Sequence, residues 1–99
     1  MNQQLAAKRL AELGHDTRLG IFRHLVRCGP GGCPVGNIQE HLDIPGSTLS
    51  HHINRLISAG LVEQHRDGRT LYCIPRLDAL QEVMNFLNSE CCIACAVDA

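Results

Sequence analysis

The stretch STLSHHINRLISAGLVEQHRDGRTLYCI, Ser47 to Ile74, changes its period half-way along. In the first half Leu49, Ile53, Leu56 and Ile57 recur at helical spacing, and Gly60 stands where a helix C-cap belongs. The second half holds LVEQH and RTLYCI, two runs rich in β-branched and aromatic residues, with RDGR between them. Asp-Gly between two such runs is a strong hairpin signal.

Upstream of this stretch, DIPG makes a tight break after a short helix from about Val35 to Leu42, with Ile38 and Leu42 facing inward. Before it, CGPGGCP (Cys28 to Pro34) reads as a loop, with three glycines and two prolines. Asp16 is a suitable N-cap for a helix that places Leu19, Phe22 and Val26 on one face. Ala6, Leu10 and Leu13 define an earlier helix from about residue 4 to 13. Downstream, Leu77, Leu80, Met84 and Leu87 define a last one over about 77–88. The order is helix, helix, helix–turn–helix, hairpin, helix. This is a mainly α fold with a small β-hairpin, a winged helix–turn–helix. One domain spans residues 1–99, with a DNA-binding core over about 16–76.

Composition agrees with a globular chain: 44% hydrophobic, 19% charged, net charge −1. No apolar run is long enough to cross a bilayer, and no signal-peptide core opens the chain, so the cytoplasm is the expected location. Six cysteines in that compartment point to metal or redox chemistry rather than a disulfide framework. Charge alone does not suggest nucleic acid. From Ile44 to Arg76, however, Arg55, Arg66, Arg69 and Arg76 outnumber Glu63 and Asp67.

Projected at about 100° per residue, the helix that begins near Ser47 puts Thr48, His51, Arg55 and Ser58 opposite its apolar side, with Ser47 and Asn54 flanking. That face carries no acid. An ordinary solvated face usually mixes in Glu or Asp, whereas hydroxyls, an imidazole, an amide and a guanidinium are groups that reach base edges and phosphates. Arg66 and Arg69 flank Asp67-Gly68, so the hairpin tip presents two cations, as a phosphate-contacting wing does. The expected DNA contacts are Ser47, Thr48, Ser50, His51, Asn54, Arg55, Arg66 and Arg69, with double-stranded operator DNA as the partner.

The string TLSHH…L…AGLV…R.GR…Y resembles the arsenical-resistance repressor (ArsR/SmtB) family of metal-sensing transcription factors, over roughly residues 16 to 88. The resemblance implies a homodimeric repressor, paired through its first and last helices, that leaves its operator on binding an inducer. Asp43 replaces a glycine common in such turns, and Asp tolerates the left-handed conformation better than most residues. Two inducer sites known in the family are not matched. GNIQEHLDIPG, at the start of the DNA-binding motif, has no cysteine, and no histidine lies between Leu77 and Ala99.

The remaining candidate is the tail, residues 89–99, SECCIACAVDA. Cys91, Cys92 and Cys95 offer three thiolates without a nitrogen or oxygen partner, which suits a soft, thiophilic centre. Trivalent arsenic or antimony, acting as inducer rather than permanent cofactor, fits three sulfurs, and structural zinc would want a fourth ligand. Family members with vicinal cysteines after the last helix resemble this ECC arrangement. Methylated trivalent arsenic, another soft metal, and thiol oxidation or reactive sulfur are the alternatives. Burial of one thiol as a small hydrophobe is the plain one.

Cys28 and Cys33 bracket the glycine–proline loop and could pair with each other or complete a remote site. Cys28 is expected to be core or incidental, Cys33 exposed, and Cys73 packed. His15, His24, His41, His52 and His65 show no ligand spacing and read as surface or locally hydrogen-bonded residues. No nucleophile–base constellation can be placed, so catalysis is not expected.

Overall fold

The computed structural model describes residues 1–94, which leaves Cys95 outside the described residues. Helix α1 (Gln3–Leu13) starts at Asn2, whose side chain accepts the Leu5 N–H at 2.8 Å. Asp16 does not cap α2 (Asp16–Cys28). The His15 ring does, accepting the Thr17 N–H at 3.2 Å. Asp16 takes the first helical position, where its carboxylate meets the positive end of the helix dipole. There follow β1 (Cys33–Pro34), α3 (Val35–Leu42), α4 (Gly46–Ser58), β2 (Val62–Asp67), β3 (Thr70–Pro75) and α5 (Leu77–Asn88). Asp43 turns the chain from α3 towards α4 at φ 52° and ψ 53°, the left-handed conformation expected of it.

The hairpin gains a third strand. The sheet runs β1-β3-β2, all antiparallel, with Cys33 opposite Cys73 and Pro34 opposite Tyr72. The loop that feeds β1 passes tight against β3 at Gly32. A Cβ there would lie 2.5 Å from the Cys73 carbonyl oxygen and 2.7 Å from the Ile74 side chain, and Gly32 has φ +81°. At the far end Asp67 pairs with Thr70, so the two loop residues are Gly68 and Arg69, one position later than the Asp-Gly pair the sequence suggested. Of these two only Gly68 has positive φ, +63°, which is the pattern of a type II′ turn.

One core joins the helices to the sheet: Ile21, Phe22, Leu25, Ile38, Leu49, Ile53, Leu56, Leu61, Val62 and Cys73 are all buried. Each large aliphatic side chain there contributes roughly 1.5–3 kcal/mol by leaving water. Helix α2 presents a different face from the one expected. Ile21 and Leu25 join Phe22 in the core, while Leu19 and Val26 remain exposed. Five apolar residues crowd this helix on more than one side, so the period admitted both choices. Leu19 and Val26 line a groove of about 360 Å³ with Leu13 and Leu80. On α5, Ala79 and Val83 are the buried residues, and the stripe of Leu77, Met84 and Leu87 faces outward beside a half-buried Leu80. Leu10 on α1 is likewise exposed.

Candidate nucleic-acid interface and thiol sites

Helix α4 is two-sided. Leu49, His52, Ile53 and Leu56 point into the protein, and Ser47, Thr48, Ser50, His51, Asn54, Arg55 and Ser58 are exposed. Pro45 precedes the helix with no side-chain cap, so its first-turn N–H groups open beside Ser47 and Thr48. Beyond Val62 the whole of β2 is exposed and carries Arg66, and Arg69 sits in the turn. No ion pair involves Arg66 or Arg69 among the described residues, whereas Arg76 is held by Asp78 at 2.9 Å and by Glu63 at 3.6 Å.

Arg55 is also engaged, by an acid on another helix. Its Nε and Nη2 each donate to Glu12 of α1 at 3.0 Å. Arg18 of α2 lies 3.2 Å from Oε2 of the same carboxylate, donates to the Glu12 carbonyl at 2.8 Å, and meets the His52 ring at 3.3 Å. Glu12 and Arg18 are buried, and the Arg55 side chain is 50% exposed. The bidentate Arg55 contact holds the Glu12 carboxyl below its ordinary range. Burial, reinforced by the neighbouring His15 and Arg18, pushes the His52 imidazole down. Arg9 makes a second joint, donating to the Ala59 carbonyl at 3.0 Å and to the Ala79 carbonyl at 3.2 Å, with Glu82 at 3.6 Å. Helix α1 is therefore bonded both to the recognition-type helix α4 and to α5.

The thiols fall into two groups. Helix α5 ends at Asn88, so Cys91 and Cys92 lie on a turn rather than on a continuing helix, with Cys92 at φ +68°. Both are exposed, their sulfurs are 3.1 Å apart, and the hydrogen bond between them pushes the Cys91 thiol up. In the second group, the place of His24 beside Cys28 and Cys33 was not anticipated. Cys33 is buried, not exposed, and its sulfur lies 3.6 Å from His24 Nε2, with the Cys28 sulfur 3.8 Å from the same nitrogen. The Asn37 Oδ1 accepts from Cys33 at 2.9 Å and lies 3.0 Å from His24 Nε2. His41 stacks on His24 with ring centroids 4.3 Å apart. Burial, then the Cys28 hydrogen bond, pushes the Cys33 thiol up to about 12. Cys73 is buried as expected, and burial raises its thiol too. His24 thus has ligand-type neighbours that its sequence spacing hid. The usable signal was His24 and Cys28 four apart on α2, followed by Cys33 and Asn37 four apart.

A helix-turn-helix domain family matches residues 13–65, more than half of the chain. The chain belongs to the ArsR family of winged helix–turn–helix transcriptional regulators. Among ArsR-type relatives, it is 36% identical over 78 residues to a protein assigned as an arsenical resistance operon repressor, ArsR, of Halobacterium salinarum, covering 77% of this chain and 60% of that one. It is 33% identical over 57 residues to the transcriptional repressor SdpR of Bacillus subtilis, covering 58% of this chain and 63% of SdpR. The matches thus span about three-fifths of each of these relatives. In three dimensions it is similar to the homodimeric winged helix–turn–helix domain Mb0332 of Mycobacterium bovis, a possible ArsR-family regulator. The TM-score is 0.70 at 25% identity, over 89% of this chain and 82% of that domain. The fold is that of a DNA-binding regulator, and no described helix is long and apolar enough to cross a membrane.

Proposed function

We propose that this ArsR-family chain is a homodimeric repressor that holds operator DNA through α4 and the β2–β3 wing and releases it when trivalent arsenic or antimony is bound by Cys91, Cys92 and Cys95. The observation that carries this reading is the pair of exposed sulfurs 3.1 Å apart just beyond α5, close enough to share one soft atom. The donor set fits such an atom, because it offers thiols alone. The relative from Halobacterium salinarum assigned to arsenical resistance supports the same class of inducer. Pairing through α1 and α5 is supported by the outward stripe of Leu10, Leu77, Met84 and Leu87, apolar surface that a second copy would cover.

On DNA, Ser47, Thr48, Ser50, His51 and Asn54 face the major groove, and Arg66 and Arg69 meet phosphates. Arg55 does both tasks, bracing α1 through Glu12 while its exposed half reaches the duplex. Release follows from the joints. Drawing the tail thiols together displaces the end of α5, and Arg9 ties α5 and α1 to the carbonyl that ends α4. A shift of the two recognition helices breaks their match to paired half-sites, and a coupling of about 1–3 kcal/mol per site is typical.

Fluorescence anisotropy on operator DNA tests the reading. Arsenite or antimonite should release the wild type, and Cys91→Ser and Cys92→Ser should stay bound. Full release of both serine variants would refute the tail site. A second reading, methylated trivalent arsenic, needs only two sulfurs and is favoured by the closeness of Cys91 and Cys92 alone. It predicts that Cys95→Ser still responds to a methylarsenical but not to arsenite.

A further inference from the structure

The Cys28–Cys33 end of the molecule contains a donor set that the proposed regulation does not use. His24 Nε2, Cys28 Sγ and Cys33 Sγ come from two different elements and a loop boundary, yet all lie within 4.8 Å of one another. The nitrogen–sulfur separations of 3.8 and 3.6 Å can be compared with a known coordination polyhedron. Zinc–sulfur bonds of about 2.3 Å and zinc–nitrogen bonds of about 2.0–2.1 Å put nitrogen and sulfur about 3.6 Å apart around a tetrahedral ion. The side chains therefore already stand near the edges of such a tetrahedron.

We propose that His24, Cys28 and Cys33 form a binding site for a tetrahedral, borderline-soft divalent cation of the zinc class, with the Asn37 amide oxygen at or beside the fourth position. The thiols bind as thiolates, releasing two protons to solvent, and the imidazole binds through Nε2 in its Nδ1–H form. The surroundings suit that chemistry. Cys33 and His24 are buried, exposed Cys28 leaves a way in, and stacked His41 fixes the plane of the His24 ring. Without a cation the sulfurs and nitrogen share hydrogen bonds with one another and with Asn37. A lone buried thiol would not need so many polar neighbours.

The position gives the site a task. His24 and Cys28 lie on α2, Cys33 begins β1 opposite Cys73 of β3, and Asn37 lies in the first turns of α3. A cation there fastens α2 to the first helix of the helix–turn–helix and to the edge of the wing sheet. It is separate in sequence and chemistry from the tail thiols, so the two sites can be tested apart.

The test uses the full chain with Cys91→Ser, Cys92→Ser and Cys95→Ser, which removes tail binding whatever its ligand. Cobalt(II) is titrated under reducing conditions, followed by displacement with zinc. The expected result is one cobalt per chain, with intense visible d–d bands of a tetrahedral ion and a sulfur-to-cobalt charge-transfer band. Adding Cys28→Ser, an exposed position, should abolish the charge-transfer intensity attributable to that thiolate and weaken binding at least tenfold. Asn37→Ala should weaken it about 10–100-fold, because its amide oxygen stands against both the His24 nitrogen and the Cys33 sulfur. Circular dichroism checks that each variant is folded. Octahedral bands only, no saturable uptake, or unchanged spectra in folded Cys28→Ser would overturn the proposal. So would a Cys28–Cys33 disulfide that forms under mild oxidant in a chain taking up no cobalt, which would make the pair a redox element.

Discussion

The two thiol clusters of this protein are held in opposite ways. Cys91 and Cys92 are neighbours in sequence, exposed, and supported by a single turn after α5. Cys28 and Cys33 are drawn together with His24 by α2, β1 and the close approach of the loop at Gly32 to β3. The first cluster stands exposed on a turn and is placed to follow a ligand, as the proposed inducer site requires. The second is organised before any ligand arrives, and its geometry is part of the core. A regulator needs both properties, but in different places: a compliant end where the signal enters, and a stiff frame where DNA is read.

Thiol chemistry should separate the clusters most strongly. In metal-free protein at pH 8, iodoacetamide should alkylate Cys28, Cys91 and Cys92 quickly, while Cys33 and Cys73 react at least a hundredfold more slowly. Both slow thiols are buried, and Cys33 is pushed up to about 12, so thiolate and access are lacking together. Peptide mass spectrometry over time reads the ratio. Comparable rates at Cys33 and Cys92 would mean that the interior cluster opens as readily as the tail.

Gly32→Ala should break the interior cluster and leave the tail intact. The added methyl meets the Cys73 carbonyl at 2.5 Å, and the φ of +81° is strained for alanine. Together these should remove roughly 2–3 kcal/mol of stability. At about 4–8 °C per kcal/mol for a domain of this size, the melting temperature falls by roughly 8–24 °C. Calorimetry would show it, and Cys33 should then alkylate faster while Cys91 and Cys92 do not change.

The same contrast explains what the residues revealed before the coordinates did. Leu49, Ile53 and Leu56 on one helix face and the hairpin around Asp67-Gly68 are local signals, each contained within a few positions; the helix face reads correctly, and the hairpin is where it was expected with its turn one residue later, at Gly68-Arg69. Asp43 in the left-handed conformation is of this kind as well. What the sequence hid depends on partners far along the chain. The two-residue strand β1 exists only because β3 lies forty residues away to pair with it. That pairing buries Cys33 and delivers it to His24. Arg55 was legible as an exposed cation, but Glu12, which grips it, is on α1, forty-three residues distant. Helix α2 failed for a different reason: Leu19, Ile21, Phe22, Leu25 and Val26 nearly encircle it, so periodicity alone does not choose a face.

Acid stability should follow the interior frame. His52 is held below its ordinary value, chiefly by burial, so the folded state resists protonation there. Its contribution is present above about pH 6.5 and is lost as the pH falls through the folded-state value. Glu12, lowered mainly by the Arg55 contact, behaves with the same sign at lower pH: its contribution persists above the ordinary carboxylate range and disappears as the carboxyl protonates. Urea unfolding from about pH 8 down to about pH 2 should therefore show stability declining in two stages, and Glu12→Gln should flatten the lower one. A wild-type curve independent of pH across this range would remove the buried network from the account.

The smallest effect expected is the one that most sharpens the contrast. The double variant Cys91→Ser, Cys92→Ser should melt at the wild-type temperature and follow the wild-type acid curve. Neither side chain is buried, and among the described residues the only side-chain partner of each is the other. Serine keeps the size and a hydrogen-bonding group on a turn that helix α5 does not need in order to end, because the Ser89 hydroxyl already donates to the Phe86 carbonyl at 2.8 Å. Cys33→Ser is the matched control, placing the same hydroxyl in a buried site between His24 and Asn37, where a cost of about 1 kcal/mol is ordinary for a polar swap in a packed position. A melting temperature lowered by more than about 3 °C in the double variant would mean that the tail turn is part of the folded frame. An inducer could then act by unfolding that turn rather than by gathering it, and the division between a compliant sensor and a stiff reader would have to be redrawn at α5.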